Sequence, residues 1–286
     1  MQPVIKIENL SFTYSKKTPY QTDALKNINL EINEGEIVGI IGETGSGKST
    51  LIQHFNALLK VQSKKKSKVE ICGLDAAVKK NLKEIRKTVG VCFQYPEHQL
   101  FEDTVEKDIS YGPKNLGVNK EEIPGLVYRA MRMLDLDESF NGRNPFQLSG
   151  GEKRRVAIAG IIVMQPKILI LDEPMAGLDP IGKIELKKLI KRLHTEVSPT
   201  IVIVSHDMDD IAEIADRVLI LSKGEIVVDK PVREAFNNEE LIKGLHLDLP
   251  SARKIANKLI AKGVKIRNDV LTMKELEEEI LRYAGV

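Results

Sequence analysis

The chain has 286 residues, 42% of them apolar, with 43 basic side chains against 41 acidic ones and a formal net charge of +2. That length allows one large domain with an appendage, or two modest domains, around a sizeable core. A charge balance so close to neutral argues against a chain that coats DNA or RNA, so no nucleic-acid partner is expected.

The N-terminus, MQPVIKIENL, lacks the basic start and apolar core of a signal peptide. No apolar run approaches the ~20 residues needed to span a bilayer. A membrane process would therefore be served by docking onto another chain. Val4–Tyr14 alternates apolar and polar residues, as a half-buried strand does, and Leu30–Ile37 repeats the pattern. Ile37–Ile41 is a continuous apolar strand that runs into a glycine-rich turn, with a helix expected over Thr50–Leu59. Lys64, Lys65, Lys66 and Lys68 read as a solvated turn or as a contact for anionic headgroups. Cys72 and Cys92 lie in apolar stretches without CxxC spacing, which fits small buried residues in a reducing compartment. From about Gln94 to Met164 the pattern is helical, clearest over Ile123–Leu134 and Gly151–Met164, as a helical insert in an α/β core would be. Apolar strands recur at Ile168–Leu171, Thr200–Val204 and Val218–Leu221, with helices over Lys183–Glu196 and Met208–Ala215 between them. Such strands suit a mainly parallel sheet covered on both faces. The composition changes after about Pro231, dividing the chain into 1–230 and an extension over 231–286. In the extension Leu241–Leu249 is mixed. Ser251 is expected to cap a helix over Ala252–Lys262 that stops at Gly263, and Thr272 with Glu275 forms a capping box for a helix over Met273–Tyr283. These two helices bury too little surface alone and need the main domain or a partner.

The most informative segments carry phosphate chemistry. Gly42-Glu43-Thr44-Gly45-Ser46-Gly47-Lys48-Ser49 fits G-x-x-x-x-G-K-[ST] between an apolar strand and a helix. Glycines let the backbone N–H groups converge on one anion, and the helix N-terminus adds positive potential. Lys48 is suited to the β- and γ-phosphates and the Ser49 hydroxyl to Mg²⁺. Ile168–Pro174 is an apolar strand ending in Asp172 and Glu173. Asp172 at the strand end suits Mg²⁺, and Glu173 beyond it suits a general base that polarises water. In Gln147–Glu152, Ser149 opens a helix behind Gly150, Gly151 and Glu152, making a second anion-binding helix start.

With LSGGE standing between a P-loop and LILDEP, the chain resembles the ATP-binding cassette (ABC) ATPases. The resemblance implies a P-loop NTPase fold: a mainly parallel core sheet, an N-terminal antiparallel β subdomain, a helical signature subdomain and a small C-terminal extension. It also implies that Gln94 is the Q-loop glutamine near Mg²⁺ and the attacking water, that Gly177-Leu178-Asp179 is the D-loop along a dimer seam, and that His206 is the switch histidine facing the γ-phosphate. Tyr14 matches the aromatic that stacks on adenine, with Tyr20 as the alternative, and Thr50 completes the nucleotide-binding run. ATP and Mg²⁺ are the implied substrate and ion. The resemblance further implies that two chains pair head to tail, each placing Ser149, Gly150, Gly151 and Glu152 over the other's nucleotide. Helix-terminus charge at the γ-phosphate gives this closure a physical motive.

A narrower resemblance spans the whole chain. Phe93–Val105, Asp108–Gly117 and the tail from His246 are similar to the second type of ATPase in energy-coupling factor transporters, the cobalt and vitamin importers. That implies a peripheral subunit on the cytoplasmic side of the cell membrane. Its partners would be a second ATPase subunit (heterodimer or homodimer), a transmembrane coupling protein and a substrate-binding membrane subunit. Tyr95, Glu97 and Phe101 are the candidates for an exposed groove that takes the coupling helices. The C-terminal extension is expected to aid dimerisation. The alternatives are the ATPase of a different ABC importer, a non-transport ABC ATPase, which commonly carries two cassettes or a long coiled coil, and a P-loop kinase, which has no use for LSGGE.

Overall fold

The computed structural model describes residues 3–62 and 66–285. Lys64 and Lys65 of the basic run lie outside the described residues, whereas Lys66 and Lys68 are exposed. In chain order the strands are β1 (Pro3–Tyr14), β2 (Thr22–Asn33), β3 (Ile37–Ile41), β4 (Lys68–Ile71), β5 (Leu74–Asp75), β6 (Val89–Cys92), β7 (Ile168–Asp172), β8 (Thr200–Val204), β9 (Arg217–Ser222) and β10 (Glu225–Pro231). The helices are α1 (Lys48–Phe55), α2 (Leu82–Thr88), α3 (Val105–Leu116), α4 (Ile123–Met133), α5 (Gly150–Ile162), α6 (Pro180–Glu196), α7 (Met208–Ile214), α8 (Val232–Ala235), α9 (Glu239–Gly244), α10 (Ser251–Ala261) and α11 (Met273–Ala284).

The strands form an antiparallel sheet in the order β2-β1-β4-β5 and a six-stranded sheet in the order β10-β9-β3-β8-β7-β6. The second is parallel from β9 through β6, and only β10 runs antiparallel to its neighbour. β3 and β8 are buried at every residue, which explains their uninterrupted apolar sequences. β1 alternates because one face covers the core while the other meets solvent, and the alternation slips at Asn9, whose φ is +51°.

Helices α3, α4 and α5 form the insert between β6 and β7 that the helical periodicity predicts. Val105, Ile109, Val127, Met131, Val156 and Ile162 make its buried side. Beyond β10 the extension is more helical than its sequence suggests, since α9 occupies part of the stretch Leu241–Leu249. Ala235, Phe236, Ile242, Leu249 and Leu271 join the main core, while Ala252, Ala256, Val270 and Leu276 form a small cluster between α10 and α11. The Thr272–Glu275 capping box is present as predicted.

Two local expectations are corrected. The helix after the P-loop ends at Phe55 rather than Leu59, because the chain leaves the helix at Asn56 and Ala57 takes φ +55°. Ser251 is the first residue of α10 and not its cap. Its hydroxyl donates to Asp209 Oδ2 at 2.7 Å, so it is not free to satisfy its own helix. The two thiols also differ: Cys92 is buried, with its pKa pushed up to about 12 by burial, whereas Cys72 is only partly buried.

Candidate active site

A parallel sheet gathers at one edge whatever follows its strands. Ile40 of β3 sits beside Val204 of β8, and Val204 beside Asp172 of β7. Cys92 of β6 sits beside Leu171. The P-loop, Asp172–Glu173, His206 and Gln94 therefore leave neighbouring strands at the same end of the sheet.

The P-loop is shaped by close backbone approach. Gly42 has φ +149°, and a Cβ there would stand 2.2 Å from the Leu221 carbonyl oxygen and 2.8 Å from Ser46 Oγ. At Gly47, with φ +108°, a Cβ would meet the Ala24 carbonyl oxygen at 2.6 Å. The loop rests on both sheets through Gly224, whose N–H donates to Ser46 O at 3.0 Å and whose carbonyl accepts from Lys26 N at 2.8 Å. Gly47 precedes α1 without a side-chain cap. The first-turn N–H groups thus lack the acceptor that caps most helices, as an anion-binding helix start requires. Ser46 Oγ is buried without a hydrogen-bond partner among the described residues, a donor suited to a phosphate oxygen. Lys48 Nζ donates to Gly42 O at 2.6 Å and Glu43 O at 3.0 Å. Burial lowers its pKa, while the Glu173 and Asp172 carboxylates pull it back up. Ser49 is exposed on α1 and Glu43, Thr44 and Gly45 are exposed in the loop. Tyr14 lies beside this helix: its hydroxyl is 3.2 Å from Thr50 Oγ1 and its ring packs edge-on against Phe12 at 4.9 Å. Tyr20 is 83% exposed, so of the two tyrosines Tyr14 is the one held against the P-loop helix.

Facing Lys48 are two adjacent carboxylates in different settings. Asp172 has its pKa raised to about 6 by burial first and by the Glu173 charge second. Glu173 continues the ladder through its N–H, which donates to Val204 O at 2.9 Å, and then turns at φ +51°. A non-glycine residue in this region is strained, and such strain is characteristic of functional positions. His206 Nδ1 lies 2.8 Å from Glu173 Oε2. A carboxylate only accepts, so Nδ1 carries the proton and Nε2 remains available on an exposed ring.

The raised Asp172 pKa gives a testable consequence. Folding favours its protonated form, so the destabilising contribution is absent below the unfolded pKa, grows as pH rises through about 6 and is complete above it. Asp172→Asn is expected to raise the melting temperature of the nucleotide-free protein at pH 8 by roughly 3 °C, with the gain shrinking towards pH 5. Thermal unfolding across that range checks it, and an equal gain at both pH values would contradict the assignment.

The remaining predicted residues stand around this centre. Gln94 is exposed just past β6. Asp179 caps α6, accepting from Gly182 N at 2.6 Å. Ser149 caps α5 in a capping box with Glu152, while a Cβ at Gly150 or Gly151 would meet nothing within 4 Å. The signature corner is thus an open helix start. Among the described residues its side chains make no hydrogen bond to the P-loop of the same chain.

Glu97 departs from its expected exposure. It pairs with Arg154 at 3.3 Å, with the Arg154 side chain only 9% exposed. Arg154, a residue the sequence reading passed over, also donates to Pro174 O at 3.1 Å and Ala176 O at 3.2 Å. It therefore joins the signature helix to the segments after β6 and β7. Its only sequence signal is a charge at a position where the α5 pattern calls for a core residue. Tyr95 and Phe101 are exposed as expected, and Phe101 packs edge-on against exposed Tyr111 at 4.7 Å.

The family model described as ABC transporter matches residues 25–176. Over 98% of this chain and 97% of its own length, the energy-coupling factor transporter ATP-binding protein EcfA2 of Caldanaerobacter subterraneus subsp. tengcongensis is 52% identical. The EcfA2 of Clostridium perfringens is 50% identical over 97% of each chain. The chain belongs to the EcfA2 family of ABC transporter ATP-binding proteins. Solved structures agree. The cbiO1 protein of Clostridium perfringens, described as part of the ABC transporter complex cbiONQ, aligns with a TM-score of 0.75 at 36% identity, covering 91% of this chain and 99% of that one. A dimeric post-hydrolysis state of the ATP-binding cassette MJ0796 with ADP and Pi aligns at 0.69 and 31% identity, covering 80% and 98%. As an ABC ATPase, this EcfA2-family chain binds and hydrolyses ATP.

Proposed function

We propose that this chain is the ATP-hydrolysing subunit of an energy-coupling factor importer for a vitamin or transition-metal ion, working in a head-to-tail pair on the cytoplasmic face of the cell membrane. The observation that carries the reading is the convergence of an uncapped helix start, Lys48, Asp172 and the Glu173–His206 pair at one sheet edge. In this reading the N–H groups of the P-loop and Lys48 bind the β- and γ-phosphates, and Tyr14 stacks on adenine. Glu173 takes a proton from the attacking water. His206 holds Glu173 through Nδ1–H, and as the imidazolium it also donates Nε2–H to the γ-phosphate. Among the described residues no group of three or more His, Cys, Asp or Glu side chains could hold a metal by itself. Mg²⁺ suits such a site because it retains waters and phosphate oxygens as ligands. Ser49, Asp172 and Gln94 would hold it, and when bound it neutralises charge on the phosphates.

Ser149–Glu152 of one chain then close over the nucleotide of its partner, a second ATPase subunit of the same kind or a related one, with Asp179 along the seam. MJ0796, similar in fold, is a dimer. The extension supports pairing with exposed Met273, Ile280, Leu281 and Tyr283 on α11. No helix among the described residues is long and apolar enough to cross a membrane, so coupling passes through a transmembrane coupling protein and a substrate-binding membrane subunit. Exposed Phe101 and Tyr111, packed edge-on, and exposed Tyr95, stacked on His98, offer that partner a surface, with Glu97 of the same segment held by Arg154. Phe101→Ala combined with Tyr111→Ala is expected to reduce co-purification with the membrane partners about tenfold while leaving ATP binding unchanged. Undiminished co-purification would remove this docking surface.

A further inference from the structure

The helix behind the switch histidine is too short to hold its own position. α7 has 7 residues, and a helix of this length gains its order from tertiary contacts. It also opens with three carboxylates, Asp207, Asp209 and Asp210, whose charges repel one another. Asp207 and Asp210 are neutralised from α6. Lys183 Nζ reaches Asp207 at 2.7 Å and Asp210 at 3.2 Å, and Lys187 reaches Asp210 at 2.9 Å. Asp209 has a different partner. Its Oδ1 accepts from Ser251 N at 2.6 Å and its Oδ2 from Ser251 Oγ at 2.7 Å, both at the first residue of α10. Among the described residues Asp209 makes no ion pair, so both of its oxygens are committed to the C-terminal extension.

The connection continues on the other side. The Asp207 side chain caps α7 by accepting from Asp209 N at 3.0 Å and Asp210 N at 3.3 Å. Lys183 in turn belongs to the first turn of α6, where its N–H donates to Asp179 O at 3.0 Å. One hydrogen-bonded chain therefore runs from the extension through Asp209 and Asp207, on either side of Met208, to Lys183 and the D-loop. His206 is the residue immediately before Asp207.

We propose that Asp209 is a positioning residue, through which the C-terminal extension holds the switch segment where His206 can support hydrolysis. The extension then acts on turnover and not merely on pairing: its seating on α7 sets how well the His206–Glu173 pair is aligned. The inference rests on the proposed role of His206, and His206→Ala in the same assay tests that role separately.

The experiment is steady-state ATP hydrolysis by the full-length chain in its transporter complex, with kcat and KM resolved. Asp209→Ala is expected to lower kcat roughly fivefold and to leave KM for ATP within about twofold. Ser251→Ala, which removes only the hydroxyl bond, is expected to lower kcat by about twofold. The double variant should be no slower than Asp209→Ala, because both act on one contact. Asp209→Asn keeps an acceptor for the Ser251 N–H and an amide to pair with its hydroxyl, and is expected to retain most of the activity. Should Asp209→Ala fail to fold, Ser251→Ala and Asp209→Asn still decide the matter. Wild-type kcat in Ser251→Ala or Asp209→Ala, with His206→Ala inactive, would overturn the inference alone, as would losses that multiply in the double variant. Wild-type turnover by His206→Ala would overturn the switch assignment and this inference with it.

Discussion

Glu173→Gln is expected to bind ATP normally, to hydrolyse it about a thousandfold more slowly than the parent, and to accumulate as a closed dimer when ATP and Mg²⁺ are supplied. The substitution is close to isosteric. The amide oxygen can still accept from His206 Nδ1, now 2.8 Å from the carboxylate, and the backbone turn at φ +51° is unaltered. What disappears is the ability to take a proton from water. In the proposed reading, binding and closure rely on the P-loop and on the partner's Ser149–Gly151 corner, so they are expected to persist, and the state before hydrolysis to collect. Phosphate release and size-exclusion chromatography report the two halves of this expectation. Turnover above about a tenth of the parent rate would require another residue as the base, since a proton-transfer group contributes at least ~100-fold.

Lys48→Ala is expected to weaken ATP binding about a hundredfold, the cost of removing one member of a desolvated charge pair. The ammonium is held against the P-loop carbonyls at 2.6 and 3.0 Å, where burial disfavours its charge and the two carboxylates restore it. A triphosphate gives that charge a stronger partner. Lys48→Arg should not rescue binding, because a planar fork does not replace a compact ammonium in this loop. Equilibrium titration with a fluorescent ATP analogue measures the affinity, and an unchanged dissociation constant would contradict the role given to this residue. Both variants should retain the native melting temperature to within about 3 °C, since neither side chain fills the core.

The reacting edge was legible because its strands are wholly apolar, and each ends in a residue with an unusual demand on it: Gly42, Asp172 and Ser205–His206. The signature corner and the Thr272–Glu275 cap were legible for another reason, since their bonds close within three residues. Two of the misreadings involve partners distant in sequence. Ser251 has the composition of a cap, yet Asp209 takes its hydroxyl from across the fold. Glu97 follows exposed Tyr95 and looks solvated, but Arg154 reaches it from the signature helix. Arg154 itself hides among Lys153 and Arg155, whose positions on α5 are more exposed. Spacing alone marks it, since Arg154 stands three and four residues before buried Ala157 and Ile158, while the partners that pair with its charge come from the segments after β6 and β7.

That inward cation leaves little slack. Arg154 is rooted on the helix that starts at Ser149, and its planar head grips Glu97 on one side and the Pro174 and Ala176 carbonyls on the other. A guanidinium has no soft direction in its own plane. A push on the Glu97 turn by the width of one hydrogen bond must therefore break that grip or drag the whole rod of α5 along. The serine–glycine corner at the rod's tip would swing with it, so pressure on the face that carries Glu97 would re-aim the open helix start at Ser149.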